Sequence, residues 1–273
     1  MGSARSLMLV GGGRMGEALL GGLISRGWAP AEAIVVIEPV EARRKELGAR
    51  YQGISVHAGV PEAAEAGAPP DGAVLAVKPA DAEAASQALA PLGVTRVLSI
   101  AAGVTTSALQ GWLGEPTAVI RAMPNTPALV GEGAAAVAGG SSAGPEDLDW
   151  ARGILEAVGT VVTVSEAALD AVTGLSGSGP AYVFLIAEAL IDAGVLVGLS
   201  RPVARQLAVQ TLLGSARMLG ETGEEPSALR AQVTSPGGTT AAGLRVLESA
   251  GVRAAILEAV AAATERSRQL GSS

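Results

Sequence analysis

Cysteine is absent from the 273 residues, and histidine occurs once. The first absence excludes disulfides, thiolate metal sites and a cysteine nucleophile, and it is compatible with a reducing compartment. The second leaves His57 as the only base for a Ser-His-Asp triad. It lies in the strand-like run Ile54-Ser55-Val56-His57, and no nucleophile elbow accompanies it. A lone histidine in a strand reads as structural. Aromatic side chains are only 2% of the chain, so the core has to be built from Ala, Val, Leu and Ile. A basic excess is missing too, with 19 basic against 26 acidic side chains and a net charge of −7. Nucleic-acid binding calls for positive surface and stacking aromatics, so nucleic acid is not an expected partner. The charge serves solubility. With 49% hydrophobic and 16% charged residues, the composition is that of a globular chain of one or two domains.

An uninterrupted membrane-spanning run is also lacking. Residues 181–199 are apolar, but Glu188 and Asp192 break the stretch, which reads as a buried helix. Residues 1–5 are not followed by the long apolar segment of a secretory leader. Met1-Gly2-Ser3-Ala4-Arg5-Ser6 fits the loose myristoylation pattern. It is discounted because the match is short and a core strand begins at once. The expected location is the cytoplasm, with no membrane partner.

What is present is an alternation of strand and helix signals over the first two-thirds. Apolar runs at 7–10, 33–37, 73–77, 97–101, 119–123 and 160–164 read as strands. Met15, Leu19, Leu20, Leu23 and Ile24 recur at helical spacing, with Gly27 suited to the helix end. Further helices are expected at 81–90 and 145–158. Such alternation implies an α/β domain with a mostly parallel sheet covered on both faces. After Ser165 the strand signals stop, and 166–174, 180–199, 202–220, 227–233, 239–250 and 252–270 all read as helices. The expected organisation is therefore a Rossmann domain over 1–165 and an all-helical domain over 166–273. The long helix of the second domain is apolar nearly all round and calls for cover from several sides, for which a second subunit is a natural source.

Gly11-Gly12-Gly13-Arg14-Met15-Gly16 fits G-x-G-x-x-G. The first glycine permits a tight turn, the second lets the backbone approach a pyrophosphate, and the third lets helix and strand pack closely. The helix N-terminus then presents free N–H groups and a positive dipole end to phosphates. A strand precedes the motif, a helix follows, and the next strand ends in an acid, Glu38, at the expected distance. These features point to a nicotinamide dinucleotide, NADPH or NADH. Glu38 suits ribose hydroxyls and repels a 2′-phosphate, which leans towards NADH. Arg43 and Arg44 either bind that phosphate or face solvent on the next helix.

Ligands of open α/β sheets bind beyond the carboxyl ends of strands. Val77-Lys78-Pro79, Ala101-Ala102-Gly103 and Met123-Pro124-Asn125-Thr126-Pro127 follow three successive strands and read together as the lining of a cofactor cleft. In the helical part, Val233-Thr234-Ser235-Pro236-Gly237-Gly238-Thr239-Thr240 is a polar, glycine-rich turn opening a helix. It is either a concave carboxylate site or a helix cap through Thr239 or Ser235. Residues 176–180, Ser-Gly-Ser-Gly-Pro, have the same character. No acid–base pair stands out, which suits imine reduction, because the nitrogen can arrive protonated. An alcohol dehydrogenase would want a base, and Lys78, one of two lysines, is the candidate for that reading.

These residues, in this order, resemble the pyrroline-5-carboxylate reductase family. The resemblance covers Gly11–Gly16, 77–79, 99–104, 121–128, 174–182, 192–198 and 233–244, with Ser-Pro-Gly-Gly-Thr-Thr at 235–240 the most specific part. It implies NAD(P)H-dependent reduction of 1-pyrroline-5-carboxylate to L-proline. It implies a helical dimerisation domain that interleaves with that of a second copy, and larger rings of dimers. It places the threonine that hydrogen-bonds the imine nitrogen at Thr240 and the carboxylate turn at Ser235, Gly237, Gly238 and Thr239. By the same resemblance, the dinucleotide contacts Gly11, Gly13, Arg14, Met15 and Gly16. Its nicotinamide lies near Ala101, Ala102 and Asn125, with Val77, Lys78 and Pro79 along the ribose. The position of Glu38 varies within the family, so nucleotide preference does not carry over. Two other readings explain less. A β-hydroxyacid dehydrogenase would depend on Lys78, and a dinucleotide-binding regulator without turnover leaves the 235–240 turn unexplained.

Overall fold

A computed structural model describes residues 6–66 and 70–271. The myristoylation-like pattern at 1–6 falls almost wholly outside them. The chain forms two compact units. One runs to Ser178 and takes in the segment from Ala262; the other is Gly179–Ala261. The strand-bearing unit thus continues past Ser165 into a short helical segment.

The first unit is built on one eight-stranded sheet. Its strands are β1 (Leu7–Val10), β2 (Ile34–Ile37), β3 (Ser55–His57), β4 (Gly72–Leu75), β5 (Arg96–Ser99), β6 (Ala118–Met123), β7 (Gly133–Gly139) and β8 (Gly159–Thr163). The spatial order is β3-β2-β1-β4-β5-β6-β7-β8. Neighbours pair in parallel except β6 and β7, so β7 and β8 run against the other six. The order reverses between β1 and β4, the crevice where open α/β sheets take ligands.

Strand residues alternate strictly between two cores, because side chains point to opposite faces with a period of two. Leu7, Leu9, Val74, Leu98 and Ile120 enter one core; Met8, Val10, Leu75, Val97 and Val119 enter the other. The first is covered by α1 (Arg14–Ser25), α2 (Glu41–Arg50) and the later α6 (Pro145–Leu155), through Leu19, Leu20, Leu23, Leu47 and Ile154. The second is covered by α3 (Val60–Ala66), α4 (Ala82–Leu89) and α5 (Thr106–Leu113), through Val60, Leu89, Leu109 and Leu113. Burial on both faces is why these strands read as unbroken apolar runs.

Strand β7 is not visible in the sequence. Its GAAAVAG carries one β-branched residue, and pairing on both sides, not propensity, makes it a strand. Residues 176–180 are a correction of another kind. No open turn exists there. After α7 (Leu169–Val172), Thr173–Gly177 forms a π-helical turn that leads into α8 (Gly179–Leu196). The Ser178 N–H donates to the Thr173 carbonyl at 2.8 Å, and the Ser176 hydroxyl donates to the Val172 carbonyl at 3.1 Å.

The second unit contains α8, α9 (Arg201–Thr222), α10 (Pro226–Gln232), α11 (Thr239–Ser249) and the beginning of α12 (Val252–Gly271). Helices α8 and α9 pack closely because Gly194 lacks a side chain; a Cβ there would stand 2.8 Å from the Cβ of Ala204. Helix α8, read from its composition as needing cover from several sides, lacks that cover within the single chain. None of its residues is buried, and Val183, Phe184, Leu185, Ile186 and Leu190 are all exposed. By length and composition alone, the run Glu166–Leu196 is apolar enough to cross a membrane.

Leu98 is fully buried in the middle of the sheet. Leu98→Ala is expected to lower unfolding free energy by about 2–5 kcal/mol, read as a lower urea midpoint at unchanged slope.

Candidate functional site

The glycine turn shows why each position resists a side chain. Gly11 has φ of +109°, and a Cβ there would lie 2.4 Å from the Ala76 carbonyl oxygen. Gly16 is tighter still, since its Cβ would stand 2.0 Å from the Gly11 carbonyl oxygen. Helix α1 therefore meets β1 backbone to backbone. Gly12, the middle of the run, would drive a Cβ to 2.6 Å from the Leu47 side chain. At Gly13 an added Cβ meets nothing within 4 Å. Gly13 is the N-cap of α1, and no side chain caps it. Unclaimed first-turn amides at an open backbone are what a pyrophosphate needs. Arg14 is exposed and Met15 half-buried beside them.

Glu38 ends β2 with 7% of its surface exposed. Its Oε2 accepts from the Gly12 N–H at 3.1 Å and its Oε1 from the Val40 N–H at 2.9 Å. Both nearby arginines bond groups of the turn and strand end. Arg43 donates through Nε to the Gly12 carbonyl at 2.8 Å and pairs with Glu17 and Glu46. Arg44 donates to the carbonyls of Glu38 and Pro39 at 2.9 and 2.7 Å. Burial acts to raise the Glu17 carboxyl, but Arg43, Arg50 and the Tyr51 hydroxyl outweigh it and hold it below the ordinary range.

The other strand ends stand in line with this turn. Ladder bonds continue past β1 and β4, from Ala76 N–H to Val10 carbonyl and from Ile100 N–H to Leu75 carbonyl. Val77 is half-buried, while Lys78 and Pro79 are exposed. Ala101 is buried and Ala102 exposed. Asn125, 8% exposed, fastens β7 to the π turn. Its Nδ2 donates to the Ser176 carbonyl at 3.0 Å, and its Oδ1 accepts from the Ala134 N–H at 2.8 Å. Lys78 begins a 3-10 turn as an exposed residue. His57 lies at the end of β3, its Nδ1 3.7 Å from Glu62.

Two features were beyond sequence reasoning. Glu166 accepts from the Thr106 N–H at 2.7 Å, from the Thr106 hydroxyl at 2.6 Å and from Arg121, 8% exposed, at 3.3 Å. This ties α5 and β6 to the segment leaving β8. Separately, a cavity of about 360 Å³ opens beside Pro79, Ala102 and Gly103, with Thr173, Ser178 and Ser267 also on its wall. These partners lie far apart in the chain, so no local pattern announces them.

In the second unit, the turn before α11 resolves the choice between cap and open turn locally. The N-cap is Gly238, and no side-chain hydroxyl caps the helix. Gly237 has φ of +69°, and a Cβ on Gly238 would stand 2.3 Å from the Ser235 hydroxyl. The cap through Thr239 or Ser235 is therefore not formed. Ser235, Gly237 and Thr239 are exposed, and Gly238 and Thr240 half-buried. Among the described residues, no group of three or more His, Cys, Asp or Glu is arranged to hold a metal ion.

Comparison with known proteins agrees with this layout. The pyrroline-5-carboxylate reductase dimerisation family matches residues 166–270, and the NADP oxidoreductase coenzyme F420-dependent family matches residues 6–103. Pyrroline-5-carboxylate reductase of Synechocystis sp. is 48% identical over 267 residues, covering 97% of this chain and 98% of the relative. A solved pyrroline-5-carboxylate reductase from Coxiella burnetii superposes with a TM-score of 0.92 at 36% identity, over 98% of this chain and 99% of that one. The Plasmodium falciparum pyrroline carboxylate reductase, solved with NADP bound, gives 0.84 at 31% identity over 99% of each chain.

Burial acts to raise the Glu166 carboxyl, but the Thr106 hydroxyl, the Thr106 amide and Arg121 together hold it below the ordinary 4.5. Its stabilising contribution is therefore full above the unfolded value and lost as pH falls through the lower folded value. Glu166→Gln is expected to cost about 1–2 kcal/mol at pH 7, after allowance for solvent screening. The gap to the parent protein should close as pH drops below 4.5, and urea unfolding across that range measures it. A gap that stays constant would contradict the assignment.

Proposed function

The chain belongs to the pyrroline-5-carboxylate reductase family, and on that premise we propose that it reduces 1-pyrroline-5-carboxylate to L-proline with a nicotinamide dinucleotide. The observation that carries the dinucleotide is the uncapped start of α1 behind an open Gly13, held in place by the contact of Gly16 with Gly11. When bound, the dinucleotide supplies the hydride. Gly11, Gly13, Arg14, Met15 and Gly16 hold its pyrophosphate, Val77, Lys78 and Pro79 flank its ribose, and Ala101, Ala102 and Asn125 border its nicotinamide. The turn of Ser235, Gly237, Gly238 and Thr239 takes the substrate carboxylate; the Gly238 N–H closes the turn on the Ser235 carbonyl at 3.1 Å, and no side chain caps the helix that follows. Thr240 orients the imine nitrogen, which enters protonated, so the carbon accepts hydride and the nitrogen ends as a secondary amine. No general base is required for that balance.

Thr240→Ala should lower kcat with imine by about 10- to 100-fold, the loss of one or two well-placed hydrogen bonds, while dinucleotide affinity stays unchanged. Equal loss of both would contradict the role. The dehydrogenase reading makes the opposite demand, since it needs Lys78→Ala to abolish turnover.

Glu38 sets the nucleotide preference in this reading. A 2′-phosphate would meet a buried carboxylate, while the two nearby arginines already donate to the Gly12 and Glu38 carbonyls. NADH is therefore the preferred cofactor. Glu38→Gln removes the charge and one of the two amide contacts, so the ratio of kcat/KM for NADPH over NADH should rise about tenfold, equivalent to ~1.4 kcal/mol, in a variant whose turnover with NADH is measured alongside. An unchanged ratio would place the preference elsewhere.

The exposed apolar side of α8 is covered by a second copy of the chain, in a homodimer and in rings of such dimers, and not by lipid. Support comes from the dimerisation family's match to residues 166–270 and from Glu188 and Asp192, which interrupt the apolar run. The helical domain of residues 166–273 is thus assigned to dimerisation and substrate binding, beside a dinucleotide domain of residues 1–165. The cytoplasm is the matching compartment.

A further inference from the structure

The second half of α12, from Ala262, belongs to the strand-bearing unit, and the first half does not. Ser267, 9% exposed, donates a 2.7 Å hydrogen bond to Asp170 on α7, 97 residues away in the chain. Thr264, one turn earlier, is also buried. Beyond Ser267 the helix backbone meets the end of β5. A Cβ on Gly103 would stand 3.6 Å from Gly271 Cα and from the Leu270 carbonyl carbon, and one on Gly271 would stand 3.3 Å from the Gly103 carbonyl oxygen. Gly103 has φ of +78°, so its conformation also disfavours any side chain. The end of the helix therefore lies next to the loop that follows β5, at a point where neither carries a side chain.

The space beside that contact is the 360 Å³ cavity between Pro79, Ala102 and Leu270. Its size falls within the range of small-molecule sites, ~300–1,000 Å³. Its wall is mainly apolar, with the Thr173, Ser178 and Ser267 hydroxyls and the Arg266 side chain as its polar groups. Thr173 already donates to the Leu169 carbonyl at 2.9 Å, so its oxygen is left to accept. A flat ring bearing one amide group suits such a wall, since the ring wants apolar cover and the amide wants an acceptor and a donor.

We propose that the end of α12 is a wall of the nicotinamide pocket, and that Asp170 and Ser267 are positioning residues that hold it there. This rests on the reading that the chain binds a nicotinamide dinucleotide. Leu270 supplies apolar cover from a residue that no cofactor motif contains, and the Asp170–Ser267 bond determines how near it stands to Ala102.

The test compares NADH with ADP-ribose, which has the same pyrophosphate and adenosine but no nicotinamide, by titration calorimetry on the full-length protein. Ser267→Ala and Leu270→Ala should each raise the Kd for NADH about 5- to 20-fold, the loss of one hydrogen bond or of one apolar contact, and leave ADP-ribose within about twofold. Asp170→Asn, which still accepts from Ser267, should behave as the parent. Leu270 is exposed, so Leu270→Ala keeps the test open if Ser267→Ala fails to fold. Equal losses for both ligands, or an unchanged Kd for NADH, would overturn the proposal. A parent protein that binds neither ligand would instead sink the dinucleotide reading on which it rests.

Discussion

One backbone contact underlies the candidate site. The Gly16 Cα on α1 approaches the Gly11 carbonyl so closely that a methyl group would overlap it, and Gly11 in turn lies against the carbonyl of Ala76. The contact brings the start of a helix to the crevice between β1 and β4, where strand order reverses. Because Gly13 brings no side-chain cap, the first N–H groups of α1 keep their hydrogen-bonding capacity for a ligand. Packing and binding thus depend on the same absence of side chains.

Charge in the first unit is arranged around that turn. Glu38 accepts from two backbone amides, one of them in the turn itself. Arg43 donates to the turn's carbonyl and closes an ion pair to Glu17 on α1. A carboxylate and a guanidinium therefore fasten α1, β2 and α2 together. A second carboxylate, Glu166, does the same for α5 and β6. Where such groups are buried and fully hydrogen-bonded, their cost of desolvation is offset locally. Glu38 is thus held in place by the fold itself, through the Gly12 and Val40 amides.

Legibility in the sequence followed burial. Strands β1, β2, β4, β5 and β6 lie inside a sheet covered on both faces, so their Val, Ile and Leu runs announced them to within two residues at each end. Strand β7 did not announce itself, because alanine and glycine fit the crowded space beside α6 and α7 and carry no strand signal. Helices α3 and α5 were missed for their shortness and their small or polar residues. The glycine-rich segments 176–180 and 235–240 looked alike in composition. The first continues a helix through a π turn, while the second stops and restarts one around Gly237. Composition could not separate them, since the difference lies in which carbonyls the amides find.

The sequence by itself determined the alternating α/β pattern, the glycine turn with its acid on the next strand, the polar turn at 235–240 and the family. Each is local, readable from the period of apolar residues or from side chains that a backbone conformation forbids. Only the tertiary structure decided what Arg43 and Arg44 bind, that Asn125 fastens β7 to the π turn, that Glu166 joins Thr106 to Arg121, and that Ser267 meets Asp170. Those contacts join residues brought together by sheet order and helix packing, across separations over which sequence pattern carries no distance information.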